Sequence, residues 1–213
     1  MSTYYNEDKL NEDKSKKLIV ACANAQRDEV EKLINTLPNI AQIVNEKNNM
    51  GETALHATAV GGDHLIVQKL LDTGANPKIS DKQGKTPLMR AAVLGNLDAV
   101  QVFVAHDPSN IFDAGSTGQL PLHCACLISN MDLINQFLEL DPEKKTLKAT
   151  DDNGDTPWLA AMQPPIDVEV LEFLLAAGSN VNEKNKKGET ALLLAARASN
   201  SAGIKYLLGN FNI

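Results

Sequence analysis

The chain has 213 residues, 43% hydrophobic and 22% charged, values of a globular protein with one or two ordinary domains. Its net charge of −7 disfavours nucleic acid and anionic membrane as partners, and no apolar run approaches the roughly 18–20 residues of a membrane helix. Cys22, Cys124 and Cys126 are too few, and odd in number, for a disulfide framework, which points to a reducing compartment, cytoplasmic or nuclear.

The first 14 residues are polar, repeat the tetrapeptide NEDK at 6–9 and 11–14, and carry no apolar signal-peptide core. They read as a flexible tail. Residues 15–34 carry a helical pattern with Leu18, Ala21, Val30 and Leu33 on its apolar positions, followed by an irregular linker at 35–50. From there the chain repeats itself. Gly51, Gly84, Gly118, Gly154 and Gly188 open segments of one grammar, spaced 33, 34, 36 and 34 residues apart. A period near 33 predicts stacked supersecondary units, none of which can bury its faces alone.

Each segment turns at its glycine and, two residues later, places Thr53-Ala54-Leu55, Thr86-Pro87-Leu88, Leu120-Pro121-Leu122, Thr156-Pro157-Trp158 or Thr190-Ala191-Leu192. Threonine caps a helix N-terminus, and proline suits its first position because the missing N–H has no intrahelical partner there. Small residues follow, such as Ala91-Ala92 and Ala195-Ala196, and let neighbouring first helices approach closely. A turn comes next, at Gly62, Gly95, Ser129, Pro164-Pro165 or Ser199. A second helix then shows an i, i+3, i+4 apolar face, as in Ile66, Val67, Leu70 and Leu71. The fourth unit is longer than its neighbours, with its extra residues expected within 140–149, and it lacks the capping threonine.

The segments TALHATA, TPLMRAA and LPLHCAC, with the corners GAN and GSN, resemble the ankyrin-repeat family. The resemblance covers 51–208 directly and takes in 15–34 as a divergent first unit. It implies an all-α solenoid of helix-turn-helix units with projecting β-hairpin fingers. After a tail at 1–14, a single domain is expected over 15–213, with units at about 15–50, 51–83, 84–117, 118–153, 154–187 and 188–213. Length and the divergent first unit also resemble, loosely, gankyrin-like proteins, which chaperone proteasome assembly. A hairpin pattern of Leu174, Val181 and Asn182 resembles that of hydroxylated asparagines in the family.

No serine elbow, phosphate loop or HExxH occurs, so no catalytic residue and no cofactor is assigned. His123, Cys124 and Cys126 form the one metal- or ligand-binding alternative. Their spacing is too tight for a usual zinc chelate, and the two cysteines point about 200° apart on a helix. The repeat itself accounts for them as packing residues, so no metal site is assigned. Asp151, Asp152 and Asp155 lack the Glu that a calcium loop needs at its twelfth position, because Met162 stands there. They read as a solvated acidic finger.

The family resemblance implies a non-enzymatic interaction module, an adaptor, scaffold or inhibitor that binds another protein on its concave finger and inner-helix face. Positions free of the repeat grammar are the candidate contacts: Met50, Lys82, Lys85, Gln119, Asp152, Asp155 and Lys187 on fingers, and Val60, Val93, Leu94, Leu127, Ile128 and Arg197 at inner-helix ends. The five apolar ones read as a stripe for affinity, the alternating finger charges as a register. The chain is expected to be a monomer, with its apolar C-terminal end, including Phe211 and Ile213, either folded back or available for self-association.

Overall fold

Threonine and proline start the first helix of each repeat as their chemistry demands. In the computed structural model, the Thr86, Thr156 and Thr190 hydroxyls accept the backbone N–H groups of Met89, Leu159 and Leu193. Leu120 has no oxygen to cap with, but His123 Nδ1 accepts the Leu120 N–H at 3.1 Å and satisfies one orphan donor from the other side. The second helices are capped by Asp63, Asn96, Asn130, Asp167 and Asn200.

The structure describes residues 2–37, 39–163 and 167–211, with side chains from residue 13 onward. These divide into two compact units, residues 1–110 and 111–213.

The first unit contains α1 (Ser2–Ala23), α2 (Arg27–Thr36), α3 (Ile40–Ile43), α4 (Ala54–Gly61), α5 (His64–Asp72), α6 (Pro87–Val93) and α7 (Leu97–His106). Helix α1 packs on α4 and α4 on α6, while α2 packs on α5 and α5 on α7. First helices thus stack on first helices, and second on second. The backbone of residues 2–14, expected to be a loose tail, is helical and continuous with the buried part of α1. The linker at 35–50 contains α3, whose Ile43 is buried with Val44.

The second unit contains α8 (Pro121–Leu127), α9 (Met131–Glu139), α10 (Lys145–Lys148), α11 (Pro157–Ala160), α12 (Val168–Ala177), α13 (Ala191–Arg197) and α14 (Ser201–Asn210). Helix α8 packs on α11, α11 on α13, and α12 on α14. The extra length of the fourth repeat becomes α10, held by Asp141, whose carboxylate accepts the Thr146 N–H at 2.6 Å and the Thr146 hydroxyl at 2.7 Å. The core is apolar, with Leu133, Ile134, Phe137 and Leu138 of α9 buried on the face that their spacing predicts. Each contributes about 1.5–3 kcal/mol of burial. Phe211 turns back onto Tyr206, ring centroids 6.0 Å apart in an edge-on pair. Ile213 and the Pro164-Pro165 turn lie outside the described residues.

The expected hairpin fingers are turns, not strands. Among the described residues the one antiparallel bridge there joins Lys184 and Thr190.

Candidate functional site

Five finger turns share one hydrogen-bond scheme. The N–H groups of Asn48, Asp81, Gly115, Asp151 and Asn185 donate to the carbonyls of Glu52, Lys85, Gln119, Asp155 and Glu189 at 2.8–3.1 Å. In four of them the first residue also uses its side chain. Asp81 Oδ1 accepts the N–H groups of Gln83 and Lys85 at 2.8 and 3.0 Å, and Asp151 Oδ1 those of Asn153 and Asp155 at 2.8 and 2.9 Å. Asn48 and Asn185 do the same. Gly115 has no side chain with which to do so.

The turns are then tied to their neighbours. The Lys82 N–H donates to the Met50 carbonyl in the first unit. In the second, Asp152 donates to Thr117 and Lys186 to Asn153. These approaches explain two glycines: a Cβ at Gly51 would stand 2.8 Å from the Lys82 nitrogen, and one at Gly154 2.8 Å from that of Lys186. Both also sit at positive φ, which other residues rarely adopt.

Buried polar side chains fasten helices to fingers. His56 Nε2–H donates to the Lys85 carbonyl and His123 Nε2–H to that of Asp155, each at 3.0 Å. The tautomer follows because each Nδ1 accepts a backbone N–H. Arg90 spans Glu52 at 3.0 Å and the buried Asp81 at 2.5 Å, an ion network internal to the first unit.

With both ring nitrogens of His123 engaged and Cys124 and Cys126 buried, these three side chains act as packing and tethering groups. Burial pushes the Cys126 thiol far up and the Cys22 thiol to about 12, so both stay protonated at neutral pH. Among the described residues, no group of three or more His, Cys, Asp and Glu side chains is placed to hold a metal. Nor is any described helix long and apolar enough to cross a membrane.

The acidic finger expected at Asp151, Asp152 and Asp155 needs correction. Asp151 is buried and its carboxylate folds inward onto its own turn. The Asp155 carboxylate is met by Asn185 Nδ2 at 2.9 Å. Only Asp152 projects. The other expected contact positions fall as follows. In the first unit Val60, Met50 and Leu94 are 66%, 54% and 52% exposed, Lys82 is exposed, and Val93 and Lys85 are half-buried. In the second, Gln119, Leu127 and Ile128 are half-buried, whereas Lys187 and Arg197 are exposed. Asn182 is exposed as well, with its N–H donated to Asn180 Oδ1.

Sequence reasoning missed the Asx turns, although an Asn or Asp three residues before four of the five opening glycines was there to be read. It also missed the Arg90 network, and Leu193, which stands 55% exposed where His56, Met89, His123 and Leu159 are buried.

The chain is similar in sequence to known repeat proteins. A putative ankyrin repeat protein of Acanthamoeba polyphaga mimivirus is 30% identical over 86 residues, 40% of this chain and 12% of that protein. The p105 subunit of nuclear factor NF-kappa-B from Gallus gallus is 24% identical over 204 residues, 92% of this chain and 17% of that protein. The chain therefore spans under a fifth of the length of these two relatives. Among solved structures, a chain from the predatory endopeptidase Bd0816 of Bdellovibrio bacteriovorus in complex with immunity protein Bd3460 aligns with a TM-score of 0.74. It shows 26% identity over 92% of this chain and 99% of that one. A family model described as ankyrin repeats in three copies matches residues 18–113 and 57–146, one described as ankyrin repeats in many copies matches 158–208, and the chain belongs to the ankyrin-repeat family.

Proposed function

We propose that the chain is a non-enzymatic interaction module that holds a partner protein, and that Met50, Val60 and Leu94 of the first unit form the centre of the contact. The observation that carries this reading is the exposure of these three large apolar side chains. Val60 and Leu94 stand at the ends of neighbouring inner helices, and Met50 stands on the adjoining finger. Large apolar side chains exposed on neighbouring elements mark interaction sites. The turn and tether hydrogen bonds hold this surface in place before a partner arrives, which keeps the ordering cost of binding low. Lys82, exposed beside Met50, supplies a charge at the rim.

A second, narrower reading is that the partner is an enzyme that the chain restrains. It rests on the structural likeness to one chain of a structure in which an endopeptidase and an immunity protein are in complex, a likeness that covers 92% of this chain and 99% of that one. It favours an inhibitor over a passive scaffold.

The test is affinity capture from the native source with the wild-type chain and with Val60→Asp plus Leu94→Asp. Both positions are exposed, so the variant should fold, which circular dichroism checks. A partner captured by the wild type and lost by the variant supports the site. Equal capture by both removes it. Added to a captured enzyme, a restraining module would lower its turnover; unchanged turnover removes the inhibitor reading.

A further inference from the structure

The last finger turn and the helix after it combine unpaired positive charge with a bare apolar side chain, all within the second unit. Of the acids around that turn, Asp155, Glu183 and Glu189 are engaged internally, and Asp152 alone projects. Asn185 Nδ2 donates to Asp155 at 2.9 Å and to Glu189 at 2.8 Å, Glu189 also pairs with Arg197, and Glu183 accepts the Thr156 hydroxyl at 2.5 Å. The lysines are left over. Lys184, Lys186 and Lys187 are exposed, and none forms an ion pair with a described residue. The Lys186 ammonium meets a neutral group, the Asp152 carbonyl at 2.8 Å. A chain of net charge −7 therefore presents a locally basic corner.

Leu193 and Arg197 lie beside it, four residues apart and so on one face of α13. Leu193 is 55% exposed, and one guanidinium N–H of Arg197 goes to Glu189. The remaining guanidinium donors can take a second carboxylate.

We propose that Lys184, Lys186, Lys187, Leu193 and Arg197 dock an acidic peptide segment of a partner protein that carries an apolar side chain. Carboxylates of the segment pair with the lysines and with the outer edge of Arg197, while its apolar side chain covers Leu193. A nucleic acid fits less well. None of these five residues is an aromatic platform for a base, and the exposed Leu193 offers an apolar contact that a phosphate backbone does not use. These five residues belong to the second unit and share no member with the apolar cluster of the first, so the two readings fail independently.

The experiment uses the full chain at low salt, followed by fluorescence anisotropy. The probes are a labelled Glu-Glu-Leu-Glu-Glu peptide, its Lys-Lys-Leu-Lys-Lys counterpart, and an oligothymidylate of similar length. Saturable binding of the acidic peptide alone is expected, weakened about tenfold or more by Lys186→Glu plus Lys187→Glu and by rising salt. Leu193→Ser should weaken it as well, whereas Val60→Asp plus Leu94→Asp should leave it unchanged. No saturable binding, binding indifferent to charge reversal or to Leu193→Ser, or oligothymidylate binding as tightly as the peptide would each overturn the proposal.

Discussion

His123 reaches out of its own repeat to the backbone of Asp155, where its Nε2–H donates to the carbonyl at 3.0 Å. His56 does the same to Lys85 in the first unit. Each imidazole thus serves as a neutral strut between one inner helix and the next finger, and its neutrality has consequences for pH.

Burial lowers the pKa of both rings below the ordinary 6.5, and it outweighs the carbonyl bond and nearby carboxylates, which act the other way. Below 6.5 the unfolded chain binds protons that the folded chain refuses. Stability is therefore complete above that value and is lost as pH falls from 6.5 through the folded pKa. The loss reaches about 1.4 kcal/mol per pH unit for each ring. Urea midpoints should drop between about pH 7.5 and about pH 5.5, and His123→Gln should flatten part of that slope in the second unit. Equal midpoints at the two pH values would refute the argument.

Arg90 should matter more to stability than a surface arginine. Its guanidinium is the charge partner of Asp81, whose side chain is fully buried. Replacing Arg90 with Met leaves a buried carboxylate uncompensated, at a cost of about 3–5 kcal/mol. The low end is expected, because Asp81 keeps the N–H groups of Gln83 and Lys85. Adding Asp81→Asn to Arg90→Met should recover much of the loss in chemical denaturation. A single Arg90→Met variant as stable as the wild type would show that the network contributes nothing.

The contrast between Thr86 and Arg90 shows what the sequence could and could not reveal. Thr86 caps its helix by accepting the N–H of Met89, three residues on, so its role is local and legible from TPLM. Arg90 meets Glu52, 38 residues distant, and no pattern in the intervening chain announces that pairing. Asp151 was visible as an acid, but the direction of its carboxylate depends on the turn that forms around it. Leu193 was legible as a repeat position, whereas its burial depends on what covers it in space. The periodic architecture follows from spacing, and the candidate surface follows only in part.

Asp151 yields a sharper test of that turn. Asp151→Ala removes the acceptor for two N–H groups at a buried position and should cost about 1–3 kcal/mol. Asp151→Asn keeps Oδ1 and should cost much less, as Asn185 performs the same task in the last finger. Had the carboxylate served as a solvated charge for a partner, both variants would lose binding equally, because both remove the charge, and both would be equally stable in thermal unfolding.

The turn between α1 and α2 offers a stabilising substitution. Ala25 sits at φ 52°, and Gln26 N–H donates back to the Ala21 carbonyl while Ala25 N–H donates to that of Cys22. The same pair of hydrogen bonds closes the turns at Gly95 and Ser199, the latter at φ 54°. This helix ending calls for a left-handed residue, usually glycine. A side chain there costs about 1–2 kcal/mol. Glycine removes that strain but gives back about 0.5–1 kcal/mol of unfolded-state entropy. Ala25→Gly and Ser199→Gly should therefore each stabilise their own unit by about 0.5–1 kcal/mol, a rise of about 2–8 °C in that unit's Tm. Both should leave the exposed Met50, Val60 and Leu94 side chains untouched. A fall in Tm for Ala25→Gly would mean that the alanine methyl packs well enough to outweigh its backbone strain.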